Sequence, residues 1–277
     1  MNWRAIFAIV RKDLKVVLQN KGVILPIIIV PLVIFGVLPW IAALAPTMVN
    51  ADSVRMGGMN LDELTELIAR MPEGLRAEMA PYTPDQQAIL FFLVYLLAPM
   101  FLILPLMASS VMAADSFAGE RERRTLEALL YTPTTDRELF VAKLLSPWLA
   151  AVAVALAGFA LYVVMANAAA GPVMGGLFFP TPMWVVLVIW VAPAAAGFGL
   201  ATMVLVSVRA QGFQDAYQLG SVVVLPLLLL VFGQISGVMY FDIGAVLVLG
   251  LVLWVIDAAL IWAGSRIFRR GRLIARL

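Results

Sequence analysis

The chain has 277 residues, 63% of them hydrophobic and only 13% charged, and its mean hydropathy of +1.00 belongs to polytopic membrane proteins rather than soluble domains. The net charge of +2 says little, because acids and bases are segregated by loop. Cysteine and histidine are both missing, which removes disulfides, thiolate chemistry, haem attachment and the usual zinc constellations.

Residues 1–21 open the chain with an amphipathic pattern. Trp3, Ile6, Phe7, Val10, Leu14, Val17 and Leu18 recur at helical spacing, while Arg4, Arg11, Lys12, Asp13 and Lys15 fill the rest of the circumference. A helix of this kind, with basic flanks and a Trp near its start, lies in the membrane interface. Alternatively it is simply a positive anchor that orients the first span.

Six stretches meet the requirement of about 20 apolar residues per spanning helix: 22–45, 88–114, 139–167, 183–208, 219–235 and 244–267. Ala43, Leu44 and Ala45 imitate a leader-cleavage site, but the apolar run exceeds the usual signal core of about 7–15 residues, so the first stretch is expected to be a retained span. An even number of spans puts both termini on one side. Of the 19 Lys and Arg residues, 16 lie before the first span, in the charged island 116–143, at Arg209 or after Gly264, and 3 lie in the 46–87 loop. The positive-inside rule therefore makes the termini, the island and the Arg209 loop cytoplasmic and the 46–87 loop extracytoplasmic.

That outer loop has seven acids against three arginines. Asn60 is placed to cap a helix over 61–71 with Leu61, Leu64, Leu67, Ile68 and Met71 on one face, and Pro72, Pro81 and Pro84 limit regular structure beyond it. Such a loop either covers the mouth of a pathway or packs on its neighbours, and the absence of any catalytic or metal constellation favours packing.

Between the second and third spans, Ser116 to Lys143 holds 10 of the chain's 36 charged residues in 28 positions. A short amphipathic helix is predicted from Glu120 to Tyr131, with Leu126, Leu129 and Leu130 on one side and Glu120 and Glu122 at its positive N-terminal end. Thr132 and Pro133 stop it, and Thr135 with Glu138 has capping-box spacing at the entry of the third span. Taken alone, the island is equally an ordinary solvated loop that fixes topology.

In the third and fourth spans, Ala151 with Ala155 and Ala195 with Gly199 have the small-xxx-small spacing that lets helices approach closely. Asp257 is the one clear intramembrane charge, near the middle of the sixth span. An acid there costs about 2.5–3.5 kcal/mol on insertion scales unless it finds a partner or protonates. It either relays protons or cations, or locks two helices by bonding Ser207, Ser221 or Gln234. The C-terminal Arg266, Arg269, Arg270, Arg272 and Arg276 follow a span directly and suit anionic lipid headgroups better than nucleic acid.

Several of these segments carry a family resemblance. Ala118-Gly119-Glu120-Arg121-Glu122, Thr125-Leu126-Glu127 with Leu129-Leu130, Pro133 and Lys143-Leu144-Leu145 resemble the cytoplasmic signature of ABC-2 type transporter permeases, and Arg11-Lys12-Asp13-Leu14 followed by Pro26 and Pro31 resembles their opening segment. The resemblance implies an all-α polytopic protein with an N-terminal helix along the inner leaflet, six transmembrane helices and a coupling loop at 115–138. Its coupling helix (Glu120, Glu122, Thr125, Leu126, Glu127, Leu129 and Leu130) would dock on a separate ATPase subunit, with Arg11, Lys12 and Asp13 on the interfacial helix. A second permease would complete the unit, its identity open between a like and an unlike chain. The second and fifth spans would meet at the dimer centre, which makes Phe91, Phe92, Tyr95, Phe101, Val224, Leu228 and Phe232 candidate lining residues of a pathway for a hydrophobic or amphipathic export substrate.

No GxxxxGK[ST] phosphate loop occurs in the chain, so no cofactor is expected here, and ATP and Mg would be bound by the partner ATPase. The expected location is the plasma membrane, as the cytoplasmic membrane of a prokaryote. Two other functions compete: an ion- or proton-coupled secondary transporter built on Asp257, and a non-transporting membrane anchor or assembly factor.

Overall fold

A computed structural model describes residues 2–49, 66–122, 134–210, 212–236 and 238–267. Every regular element among them is helical, and six helices are long and apolar enough to cross a membrane: Lys21–Ala43, Pro84–Gly119, Asp136–Met174, Pro182–Ser207, Phe213–Ile235 and Ile243–Arg266. The protein is an all-α polytopic membrane protein. An N-terminal helix, Trp3–Gln19, precedes the spans, and Asn20 serves both elements, ending the first helix and accepting from the Gly22 N–H to start the next.

The second and third spans hold 36 and 39 residues, which at 1.5 Å per residue is roughly 54 and 58 Å against a hydrocarbon core of about 30 Å. The hydropathy windows 88–114 and 139–167 thus mark only the apolar middles of longer helices. Their polar ends stay helical because they are packed and capped. The third span starts with the capping box expected at Thr135 and Glu138, each side chain accepting from the other residue's backbone N–H.

Six apolar helices do not contribute equally to the core. Along their most apolar stretches 78% of the second span's residues and 61% of the fourth's are buried, against 22% for the first, fifth and sixth. The second span packs on the first, third, fourth and fifth, and the fourth also carries the sixth. Close approach at the centre depends on Gly199, where an added Cβ would lie 2.6 Å from the Leu106 carbonyl oxygen. Ala151, Ala155 and Ala195 are likewise buried, in keeping with the small-residue spacing.

Proline in the second span is tolerated because a neighbour replaces its missing N–H. The helix widens to π geometry over Phe91–Leu96, and Pro99 has no donor for the Val94 carbonyl five residues back. Trp184 Nε1 donates to that oxygen at 2.8 Å, and the Tyr162 hydroxyl donates to Leu93 O. Both rings belong to an aromatic cluster in which Phe35, Phe101, Phe159, Tyr162, Phe179 and Trp184 sit with centroids 5.0–6.3 Å apart. Backbone groups freed inside a membrane have no water to bond, so such side-chain donors hold the kink in place.

At the end of the bundle that carries the 46–87 loop, Met71, Leu75 and Met79 insert into the main core, the last two from the short helix Glu73–Met79. The predicted helix over 61–71 begins outside the described residues; its part from 66 to 69 is helical, and the Tyr240 hydroxyl donates to Leu67 O at 2.8 Å. The described part of this loop packs on the bundle.

Candidate functional site: a buried charge junction

The N-terminal helix has three faces. Ile6, Ile9, Val10, Asp13 and Val17 are buried, mainly against Leu139 and Ala142 at the start of the third span. Trp3, Phe7 and Leu18 are exposed apolar side chains on the adjoining face, and Arg4, Arg11 and Lys15 take the rest. Half of the amphipathic stripe is therefore used by protein, which leaves the other half for lipid.

Lys12 turns from this helix toward the second span. The helix expected over Glu120–Tyr131 lies beyond Glu122 outside the described residues, but its start is corrected: a π-helical turn over Asp115–Gly119 leads without a break into Glu120–Glu122, so among the described residues no free helix N-terminus lies at Glu120 to favour these acids. The two glutamates act as side-chain anchors instead. Glu120 Oε2 accepts from Lys143 Nζ at 2.6 Å and Oε1 from Lys12 Nζ at 2.7 Å. Lys143 has no exposed surface, donates also to the Ser116 carbonyl at 2.8 Å and hydroxyl at 3.2 Å, and lies 5.7 Å from the Phe117 ring centroid. Asp13 is buried beside them with Oδ1 3.1 Å from Lys12 Nζ.

Burial works against the charge of Glu120, yet Lys143 and Lys12 hold its carboxyl below the ordinary value. Burial pushes the Asp13 carboxyl up, with Lys143 and Lys12 opposing and Glu120 adding. Lys12 loses hydration too, but bonding to Glu120 and the charge of Asp13 raise its affinity for the proton.

Three further bonds tie this centre to other elements. Glu122 Oε2 accepts from the Phe213 N–H at 3.0 Å, at the start of the fifth span. Glu138 Oε1 accepts from the Asn2 N–H, and Asn20 Nδ2 reaches Asp115 Oδ1 at 3.5 Å. The Asp115–Glu122 end of the second span thus touches the N-terminal helix, the linker to the first span, the third span and the fifth. A cluster of charges centred on the buried Glu120–Lys143 pair couples the positions of the elements that supply them. Lys143 and Ser116 were not among the expected site residues; the signal for Lys143 was a lysine four residues inside an apolar span, which has to find a carboxylate.

The family model described as "ABC-2 family transporter protein" matches residues 7–256. The chain belongs to the ABC-2 transporter family. Comparison with curated proteins and with solved structures gives no match. Permeases of the ABC-2 family are the membrane-spanning components of ABC transporters and work with ATPase subunits that bind the nucleotide.

In this ABC-2 permease the remaining expected residues are distributed as follows. Thr125, Leu126, Glu127, Leu129 and Leu130 lie outside the described residues, Arg11 is exposed, and Lys12 and Asp13 join the junction. The seven candidate lining residues do not share one surface: Phe91, Tyr95 and Phe101 are buried, Phe101 in the aromatic cluster, Phe92 and Val224 are half-buried, and Leu228 and Phe232 face outward. Asp257 is enclosed between the sixth and fourth spans, pressed against Gly197, where any Cβ would overlap its carboxylate. None of the expected locks to it forms. The Ser207 and Ser221 hydroxyls turn back to Val204 O and Gln218 O, and the Gln234 amide and both Asp257 oxygens have no partner among the described residues.

Proposed function

We propose that this ABC-2 family protein is the transmembrane permease of an ATP-driven exporter for a hydrophobic or amphipathic substrate, with both termini and the charged island on the cytoplasmic side. In this reading the segment that follows Glu122, with Thr125, Leu126, Glu127, Leu129 and Leu130, docks on a separate ATPase that binds ATP and Mg. A second permease, like or unlike, completes the pathway. The plasma membrane of a prokaryote is the expected site.

The observation that carries the reading is the Lys12–Glu120–Lys143 junction. A force on the docking segment reaches Glu120 and Glu122, to which it is joined in the chain, and from them passes by short bonds to the N-terminal helix, the third span and the fifth. Rigid elements joined by bonds with few alternative geometries transmit displacement better than a solvated loop does. The test is reconstitution with an ATPase that copurifies with the full chain. Exchanging Leu126 or Glu127 should abolish ATP-driven efflux while leaving the protein folded, and failure of any ATPase to copurify sinks the proposal.

A second reading rests on Asp257, an enclosed acid without a partner among the described residues. An ion- or proton-coupled transporter would move substrate in liposomes containing this chain alone under a pH gradient, and Asp257→Asn would stop it. Transport that needs ATP and survives Asp257→Asn rejects this reading.

A further inference from the structure

At the end of the bundle opposite the charge junction, the short helix Glu73–Met79, the second span at Val94 and Tyr95, the start of the fourth span and the start of the sixth enclose a pocket of about 400 Å³. That is the size range of small-molecule sites, roughly 300–1,000 Å³. Its walls are mostly apolar, with Leu75, Val94 and Met183 among them, and its charged lining residues are Glu78 and Asp242, with no Lys or Arg among the described lining residues. Of the arginines on the same loop, Arg70 pairs with Glu66 at 2.6 Å, and Arg76, 4.0 Å from Glu73, is not part of the lining. The Tyr95 hydroxyl, on a residue 7% exposed, reaches Glu78 Oε2 at 3.5 Å, and both residues line the pocket. Asp242 Oδ1 accepts from the Ala245 N–H at 2.7 Å to cap the sixth span, which orients its carboxylate in the lining and leaves Oδ2 to serve a ligand.

We propose that this pocket binds an organic monocation with an apolar body, of the quaternary ammonium or phosphonium class. Low-dielectric walls carrying one sign of charge focus the field on a cation, and the Tyr95 ring adds a face suited to it. A bare metal ion fits poorly, because hard cations take six to eight oxygen ligands, whereas the lining side chains offer two carboxylates and the hydroxyls of Tyr95 and Thr181 on otherwise apolar walls, and no group of three or more metal-ligating side chains occurs among the described residues. As a statement about transport, the assignment rests on the export reading above and narrows its substrate to cationic amphiphiles. As a statement about binding, it needs neither ATP nor an ATPase.

Calorimetric titration of the purified full-length protein in detergent separates the two. Tetraphenylphosphonium should bind with saturation, and the double variant Glu78→Gln with Asp242→Asn should bind it at least about tenfold more weakly. The Asn retains the helix cap, and an unchanged melting temperature shows that the variant is folded. Tetraphenylborate, equal in shape and opposite in charge, should bind the wild type no better than the variant. Phosphonium binding that is indifferent to the double variant overturns the proposal, as does calcium chloride alone displacing the probe at equal concentration. Loss of ATPase coupling with carboxylate-dependent binding intact counts against the export reading only, and normal coupling without that binding counts against the pocket only.

Discussion

Lys143, without exposed surface, donates to Glu120 at 2.6 Å and so fastens the first turns of the third span to the last turn of the second. The pair is out of water, and Lys12 closes it from the N-terminal helix at 2.7 Å. Removing one partner of a buried pair leaves an uncompensated charge and costs about 3–5 kcal/mol. Glu120→Gln should therefore lower the thermal midpoint in detergent strongly. Lys143→Met should cost less, because Lys12 still neutralises Glu120. If both variants melt with the wild type, the junction holds nothing together.

Acid and base should act on this junction with opposite signs. Glu120 is held below the ordinary 4.5 against the cost of burial, so its contribution is complete above about that pH and is lost as the pH falls through its folded value. Lys12 is raised above 10.5, so its contribution is complete below that pH and is lost as the pH rises through its folded value. Asp13 runs the other way: burial raises it above 3.8, and protonating it on mild acidification favours the folded state. Unfolding midpoints measured across pH should form a plateau between these limits, and the acid limb should flatten in Glu120→Gln.

Gly199→Ala should destabilise by about 1–3 kcal/mol through overpacking. The new methyl would lie 2.6 Å from both the Leu106 carbonyl oxygen and Ser109 Oγ, and 2.7 Å from Ser110 Oγ. Adding Ser109→Ala should not rescue it, since the backbone oxygen stays. Gly197→Ala differs, because its obstacle is the Asp257 side chain. A double-mutant cycle with Asp257→Ala should recover much of that loss, and additive melting temperatures would contradict the contact.

Trp184→Phe keeps most of the ring packing and deletes the donor to Val94 O. With Pro99 unable to supply an N–H, that carbonyl is left unpaired in the apolar core, at a cost of about 1–3 kcal/mol. Pro99→Ala should offset part of the loss by restoring a backbone donor. Equal stability of the wild type and Trp184→Phe would mean that another group serves the carbonyl.

Much of the fold is legible in residue order. Runs of about 20 apolar residues mark six spans because a bilayer admits no unpaired backbone, and Thr135 with Glu138 marks the third span's entry because a capping box is local. Less of the junction is legible. Lys12, Glu120 and Lys143 are separated by more than a hundred and by more than twenty positions, and periodicity records which face of its own helix a residue occupies, not which helix that face meets. Glu120 is expected to open a helix on local dipole grounds, but the second span continues through it, where the buried Lys143 and the half-exposed Lys12 both pair with its carboxylate.

By itself the sequence determined the membrane class, the number of spans, the amphipathic first helix and the missing phosphate loop, all of which follow from composition, period or motif. Only the tertiary structure decided that the second and fourth spans form the centre, that Asp257 lies against Gly197 rather than a hydroxyl, and that Glu120 is an anchor between helices. Six apolar helices look alike to hydropathy because lipid and protein interior are equally apolar solvents for Leu, Val and Ile. Which side chains meet is settled by shape and charge across helices, and those contacts exist only once the bundle has formed.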